Sequence, residues 1–351
     1  MSDNLFLNSE KKPLGYETLV SAKLGKNSLL GIIAIHNTNL GPALGGCRMF
    51  PYKSKENAIF DVLRLSRGMT HKAAVAGLPL GGGKAVIIGD PSKDKSPSLW
   101  HDFGKMIQLL AGKYITAEDV GTSLEDMVEV KKETKYVTGL PEEKGGNGDP
   151  SPVTANGVYW GIKASLKYVF GNEKIKNKKF AIQGLGKVGF SLAELLAKDE
   201  GRPYVADIDN EKVEKCEKEF SAIPMDIEEI YSAPVDVFSP SALGAIINQE
   251  TIPNLKCKII AGPANNQLAD ENRDAKLLED SQILYAPDFA INSGGLINVA
   301  GEVLGYNKNQ AIKRSKKVYH ILLKIYNMAK ERKITTAKAA IKLAEERINN
   351  Y

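Results

Sequence analysis

The feature that most constrains this chain is Gly184-Leu185-Gly186-Lys187-Val188-Gly189, placed between the apolar run Phe180–Gln183 and a helical pattern over Val188–Ala197. A GxGxxG alone is weak, because glycine is common. Between a strand and a helix it has a mechanical reading. Gly184 allows the tight turn, Gly186 lets backbone approach a pyrophosphate, and Gly189 lets helix and strand pack closely. Leu185, Lys187 and Val188 fill out the same turn, and the phosphates then meet the free N–H groups of a helix N-terminus. Asp207 closes the next strand-like run, about 20 residues on, where a carboxylate takes a ribose 2′-hydroxyl and repels a 2′-phosphate. The stretch predicts a dinucleotide site selective for NAD over NADP.

A doubly wound sheet needs further short strands around this one. Tyr204–Ala206, Val235–Phe238, Lys258–Ala261 and Ile283–Tyr285 supply them, separated by helix-length segments. Before this region, strand-like runs at Leu30–Ile35, Ala85–Ile88 and Tyr114–Ala117 alternate with helical periodicity at Lys55–Ala76 (with Ser54 as N-cap), Ser98–Leu110 and Ser123–Lys132. Gly145–Pro152 is too rich in Gly and Pro for a regular element and reads as the interdomain connection. At 351 residues two domains are expected. The fold class is therefore α/β. We expect an N-terminal α/β catalytic domain over 1–145, a Rossmann-type doubly wound domain over 146–328, and a C-terminal helix over 329–351. That helix is expected to return to the first domain or to an oligomer contact.

Composition removes several alternatives. A net charge of +5 with both signs interspersed leaves no nucleic-acid footprint. Met1–Lys12 has no apolar signal core, and no run approaches a membrane span, so the expected location is the cytoplasm. Three scattered cysteines (Cys47, Cys216, Cys257) suit free thiols in a reducing compartment. The four histidines form no HxH or HxxxH pair, so no metal site is expected, and no GxSxG elbow suggests a hydrolase.

The chemistry points to Gly77-Leu78-Pro79-Leu80-Gly81-Gly82-Gly83-Lys84, a lysine delivered from a glycine run at the start of an apolar strand. Such glycines suggest close approach of backbone to a ligand, or else a flexible turn that ends in lysine. Lys72 closes the preceding helix, and Thr116-Ala117-Glu118-Asp119 brings a carboxylate to a strand's C-terminal end, the usual place for site residues. These residues support charge roles but do not name a reaction.

At this point the sequence resembles the glutamate/leucine/phenylalanine/valine dehydrogenase family. The resemblance rests on Leu78–Pro91 with Gly45-Gly46-Cys47-Arg48-Met49, Thr116–Gly121, Gly148–Thr154, Ala264–Leu268 and Ala286-Pro287-Asp288, in family order over most of the chain. It implies that Lys72 binds the substrate carboxylate, that Lys84 is the general base activating water, and that Asp119 pairs with Lys84 and exchanges protons with the amino group. It further implies that Asn265 and Asn266 contact the nicotinamide end of the cofactor and the substrate. The implied reaction is reversible oxidative deamination by NAD to a 2-oxo acid and ammonia, in a homo-oligomer. Glutamate-specific members carry Lys and Ser where this chain has Leu44 and Val299. A buried carboxylate against two apolar groups would be strongly disfavoured, so an aliphatic substrate, leucine foremost, is expected. Gly45, Ala117 and Leu296 join Leu44 and Val299 around that side chain. Leu296 stands where leucine-specific members usually have Val, which blurs leucine against valine or isoleucine; a phenylalanine-type dehydrogenase shares nearly all the same motifs and is the nearest alternative. A catalytically inactive regulatory module is the remaining alternative, and retention of Lys72, Lys84 and Asp119 together argues against it.

Overall fold

The structure is a computed structural model that describes residues 5–350; residues 1–4 and 351, part of the amino-terminal and tail-helix readings, lie outside it. Two compact units divide the chain. One comprises the chain up to Asp149, Val299–Asn307 and the residues from Glu345; the other comprises Pro150–Asn298 and Lys308–Ala344. The expected single linker near Gly145–Pro152 contains the first passage, Asp149 to Pro150, but the chain passes between units again after Asn298, Asn307 and Ala344. Two of those later passages fall inside continuous helices, so no Gly- or Pro-rich stretch announces them.

The first unit is built on a seven-stranded mixed sheet: β1 (Asn8–Ser9), β2 (Thr18–Leu24), β3 (Leu29–Asn37), β4 (Ala43–Leu44), β5 (Cys47–Phe50), β6 (Gly81–Ile88) and β7 (Tyr114–Ile115). The order is β1-β2-β3-β6-β4-β7, with β5 also on β6. β4 and β5 run parallel to β6 on successive lengths of it, as one strand interrupted at Gly45-Gly46. Side chains alternate across this sheet. Ile32, Ala34 and Val86 face α1 (Lys55–Val75) through Ala58 and Val62. Ile33, Ile35, Ala85 and Ile87 face α2 (Pro97–Gln108) and α3 (Leu124–Lys131) through Trp100, Phe103, Met106, Met127 and Val130. Ser54, Ser96 and Ser123 cap the three helices, Ser123 in a capping box with Asp126.

The glycine run corrects the sequence reading. Gly81, Gly82 and Gly83 are strand, not loop, and what they admit is protein. A Cβ on Gly82 would stand 2.0 Å from Thr70 N on α1, and one on Gly83 2.7 Å from the Tyr114 ring. The missing side chains let a helix on one face and a buried tyrosine on the other reach the strand that carries Lys84.

The second unit contains β8 (Lys179–Gln183), β9 (Arg202–Ala206), β10 (Ile223–Pro224), β11 (Val237–Pro240), β12 (Ile259–Ile260) and β13 (Leu284–Tyr285), all parallel in the order β10-β9-β8-β11-β12-β13. This is the doubly wound sheet expected from the sequence. Its helices are α4 (Ser151–Phe170), α5 (Lys187–Lys198), α6 (Asn210–Phe220), α7 (Arg273–Asp280), α8 (Asp288–Ile291), α9 (Gly294–Leu304), α10 (Lys308–Ser315), α11 (Val318–Arg332) and α12 (Thr336–Asn349); α9 and α12 end in the first unit. The single tail helix expected over 329–351 is also corrected. α11 stops at Lys333, which adopts a left-handed φ of 53° and caps it, before α12 begins anew. From α12, Arg347 donates to the Ala74 and Leu78 carbonyls beyond the end of α1. No helix among the described residues is long and apolar enough to cross a membrane.

Candidate active site

Lys84 and Asp119 meet across a gap that glycine keeps open. Lys84 projects from β6 with its Nζ 2.7 Å from Asp119 Oδ2, the lysine side chain 6% exposed and the carboxylate 26%. The Asp119 segment is tied to the interrupted strand by Cys47 N–H donating to Ala117 O and Met49 N–H to Val120 O. At that interruption a Cβ on Gly46 would lie 2.5 Å from Glu118 O and 2.9 Å from Asp119 Cβ, and one on Gly45 1.8 Å from Gly83 O. The Gly-Gly pair is therefore required by the approach of three backbone segments around the ion pair.

The same Asp119 oxygen accepts from Arg48 Nε at 3.2 Å. Arg48 in turn donates to Asp61 Oδ2 at 2.9 Å, and Asp61 accepts from the Tyr52 hydroxyl at 2.7 Å. Burial works to raise the Asp119 pKa, but the Lys84 and Arg48 charges and the hydrogen bond from Lys84 overcome it and hold the group down to about 2. At neutral pH Asp119 is a carboxylate held between Lys84 and Arg48. The sequence reading placed Arg48 in a motif block without a role; its position two residues beyond Gly46 was the available signal.

Lys72 lies in the last turn of α1, three positions after Met69, and so on the same side of the helix. The Met69 side chain comes within 3.3 Å of where a Gly45 Cβ would be. Tyr114, fully buried, donates its hydroxyl to the Gly45 carbonyl. Leu44 at the end of β4 and Ala117, two residues beyond β7, are buried apolar residues, 1% and 6% exposed. Val299 sits on the portion of α9 that belongs to this unit, its carbonyl accepting from the Thr138 hydroxyl at 2.7 Å. A Cβ on Gly139 would be 3.6 Å from Ala117 Cβ and 3.9 Å from Val299 Cγ1, so Ala117, Gly139 and Val299 border one space. Gly139 escaped the sequence reading because a lone glycine in a loop carries no chemical signal. Leu296 is buried in the part of α9 that belongs to the second unit.

In the second unit every strand is parallel, so all carboxyl ends lie on one edge, and β8 is flanked by β9 on one side and β11 on the other. The first glycine turn leaves β8 at that crossover. Gly184 has φ +108°, and a Cβ there would stand 2.6 Å from Ala242 Cβ in the loop after β11; a Cβ on Gly189 would stand 2.1 Å from Gly184 O. Gly186, the N-cap of α5, has nothing within 4 Å of its Cβ position and no side-chain cap. The space over the helix N-terminus is thus a cradle that only a side chain at Gly186 would fill, and this fits a pyrophosphate with nearby N–H groups of the turn and of Lys187 and Val188. Leu185 is buried beneath the turn. Asp207 follows β9, accepting from Leu185 N–H with one oxygen and from Asp209 N–H with the other. Asn265 and Asn266 are exposed in the loop after β12. Asn265 Oδ1 accepts from Asn292 Nδ2 at 2.8 Å, which orients its own amide N–H groups outward, and Asn292 Oδ1 is buried with no partner among the described residues. No group of three His, Cys, Asp or Glu residues among those described could hold a metal ion.

Comparison with known proteins agrees with both units. A family model described as Glu/Leu/Phe/Val dehydrogenase, dimerisation domain, matches residues 18–136, and one described as Glutamate/Leucine/Phenylalanine/Valine dehydrogenase matches residues 204–350. The chain is 51% identical over 333 residues to a leucine dehydrogenase of Thermoactinomyces intermedius, covering 95% of this chain and 91% of that protein. It is 49% identical over 325 residues to a phenylalanine dehydrogenase of Caldalkalibacillus thermarum, covering 91% and 88%. Among solved structures, the L-tryptophan dehydrogenase of Nostoc punctiforme matches with a TM-score of 0.86 at 43% identity, covering 96% of each chain. With its doubly wound sheet, its glycine turn and its Lys84–Asp119 pair, the chain belongs to the glutamate/leucine/phenylalanine/valine dehydrogenase family of amino-acid dehydrogenases.

Proposed function

We propose that the protein oxidatively deaminates a branched-chain L-amino acid, leucine first, using NAD. The observation that carries this reading is the Lys84–Asp119 ion pair at 2.7 Å, with Ala117 and Val299 both bordering Gly139 and Leu44 buried at the end of β4. An anionic side-chain terminus would meet no compensating partner against these apolar groups. The overall change is L-amino acid + NAD⁺ + H₂O → 2-oxo acid + NH₄⁺ + NADH + H⁺.

In this reading Lys72 holds the substrate carboxylate and Asp119 accepts a hydrogen bond from the substrate amine. The nicotinamide would supply the hydride acceptor for the substrate Cα when bound. Lys84, entering this step as the free amine, removes a proton from the water that attacks the imino carbon and returns it as ammonia departs; the H⁺ released overall is the one the substrate ammonium loses before hydride transfer. Arg48 keeps Asp119 ionised through the cycle. Gly184, Gly186 and Gly189, with the turn of Leu185, Lys187 and Val188, would receive the pyrophosphate. Asp207 would take the adenosine ribose, which supports NAD over NADP, and Asn265 and Asn266 would meet the nicotinamide end. Leu296 is assigned to the same side-chain pocket. The match of residues 18–136 to a dimerisation domain supports a homo-oligomer, and the buried free thiols Cys47, Cys216 and Cys257 support a reducing, cytoplasmic setting. One second reading, an aromatic substrate, is favoured by the 49% identity to a phenylalanine dehydrogenase.

The test is NADH formation from L-leucine, L-valine, L-isoleucine, L-phenylalanine and L-glutamate, each with NAD and with NADP. We expect the aliphatic substrates to lead, glutamate to be inert and NAD to be preferred. Phenylalanine in front would keep the mechanism and replace the substrate. Turnover of none of the five would overturn the reading.

A further inference from the structure

Glu302 is the one charged side chain in α9, whose sequence is otherwise Gly, Ala, Asn and aliphatic residues. Its carboxylate reaches both ends of the loop between Thr138 and Asn147. Oε2 accepts from Gly139 N–H at 3.0 Å and from Leu140 N–H at 3.4 Å, while Oε1 accepts from Asn147 N–H at 2.9 Å. One turn earlier on the helix, Val299 O takes the Thr138 hydroxyl at 2.7 Å. Asn147 Nδ2 also donates to Tyr306 O at 3.2 Å, and Gly301 leaves room for that amide, since a Cβ there would lie 2.4 Å from Nδ2. The middle of the loop is held by its own turn, with Lys144 and Gly146 N–H donating to Pro141 O and Gly145 N–H to Glu142 O, whereas Glu302 ties the Gly139-Leu140 stretch to Asn147.

We propose that Glu302 is a positioning residue for side-chain selectivity. By gathering the N–H groups of Gly139, Leu140 and Asn147 it sets the distance from Val299 to Gly139 and Ala117, and so decides how large a substrate side chain fits between them. The role needs a carboxylate, because both oxygens must accept. Glutamine offers one acceptor and one donor, so one end of the loop would face N–H against N–H. Charge-assisted bonds to backbone N–H groups are also stronger than neutral ones. Glu302 touches no reacting atom; it acts through Val299 and Gly139. The inference rests on the amino-acid dehydrogenase reading of the site.

The experiment compares kcat/KM for L-leucine, L-valine and L-phenylalanine in the full-length wild type, Glu302→Gln and Thr138→Val, with KM for NAD measured alongside. In Glu302→Gln the leucine-to-phenylalanine ratio is expected to move about tenfold toward the larger side chain. The change should sit in the amino-acid KM, with KM for NAD held. Thr138→Val, near-isosteric, should move the ratio the same way by a smaller factor. An equal fall for all three substrates, or an unchanged ratio in folded Glu302→Gln, overturns the proposal. Should Glu302→Gln fail to fold, an unchanged ratio in Thr138→Val overturns it instead. A wild type that turns over amino acids, with a ratio indifferent to both substitutions, sinks this inference alone; a wild type inactive on all of them sinks the functional reading as well.

Discussion

One carboxylate oxygen, Asp119 Oδ2, receives both Lys84 at 2.7 Å and Arg48 at 3.2 Å. A group held near pKa 2 is a poor resting base but a dependable anion, and that is what a bound ammonium or an imine requires nearby. In the proposed reaction the base is then Lys84. Lys84→Ala is expected to abolish turnover, by a factor of about 10³ or more, while NADH still binds in a fluorescence titration. Near-normal turnover would remove Lys84 as the base.

Among the elements, the glycine turn of the second unit separates two kinds of glycine that look alike in sequence. Gly189 is packed: its missing Cβ would lie 2.1 Å from Gly184 O. Gly186 is open, with no neighbour within 4 Å. Gly189→Ala should therefore lower the thermal midpoint, by an amount matching roughly 2 kcal/mol or more of overpacking. Gly186→Ala should leave the midpoint nearly unchanged and raise KM for NAD, because its methyl enters the space assigned to the phosphates. If both variants behaved alike in melting and in kinetics, that division would be wrong. The glycines of β6 teach the same lesson in the first unit: Gly82 accommodates Thr70 of α1 and Gly83 accommodates Tyr114.

For the molecule as a whole, acid should be the weak side of the stability curve. His71 of α1 and His36 of β3 have ring centroids 6.3 Å apart, and His36 Nδ1 lies 2.9 Å from Thr70 Oγ1. Burial, then the Arg67 charge, lowers both; His71 falls from its ordinary 6.5 to about 4. The folded state thus resists a proton that the unfolded chain accepts. The associated stability is present above about pH 6.5 and is lost as pH falls toward 4, up to roughly 3 kcal/mol for His71. Below that, the depressed Asp119 adds a further loss between its ordinary 3.8 and about 2. Thermal midpoints measured between about pH 7 and about pH 5 should fall, and His71→Gln should flatten that slope. An unchanged slope would mean that other groups set it.

The sequence by itself determined the parts whose physics is local. Ser54 before an apolar period caps α1, the run Phe180–Gln183 before Gly184 makes a strand and turn, and Asp207 closes β9 because strand, turn and acid are spaced along one stretch of chain. Family blocks read in order implied roles for Lys72, Lys84 and Asp119. The tertiary structure alone decided what depends on partners remote in sequence. Arg48 joins Asp119 across 71 positions and Glu302 reaches Gly139 across 163. Gly46 must lack a side chain only because Asp119 arrives there. The units also interleave through α9 and α12 without a linker in sight. Short-range patterns report backbone preference and burial, whereas the spacing of charges and the fit of a pocket arise only when distant segments pack, and no local pattern encodes them.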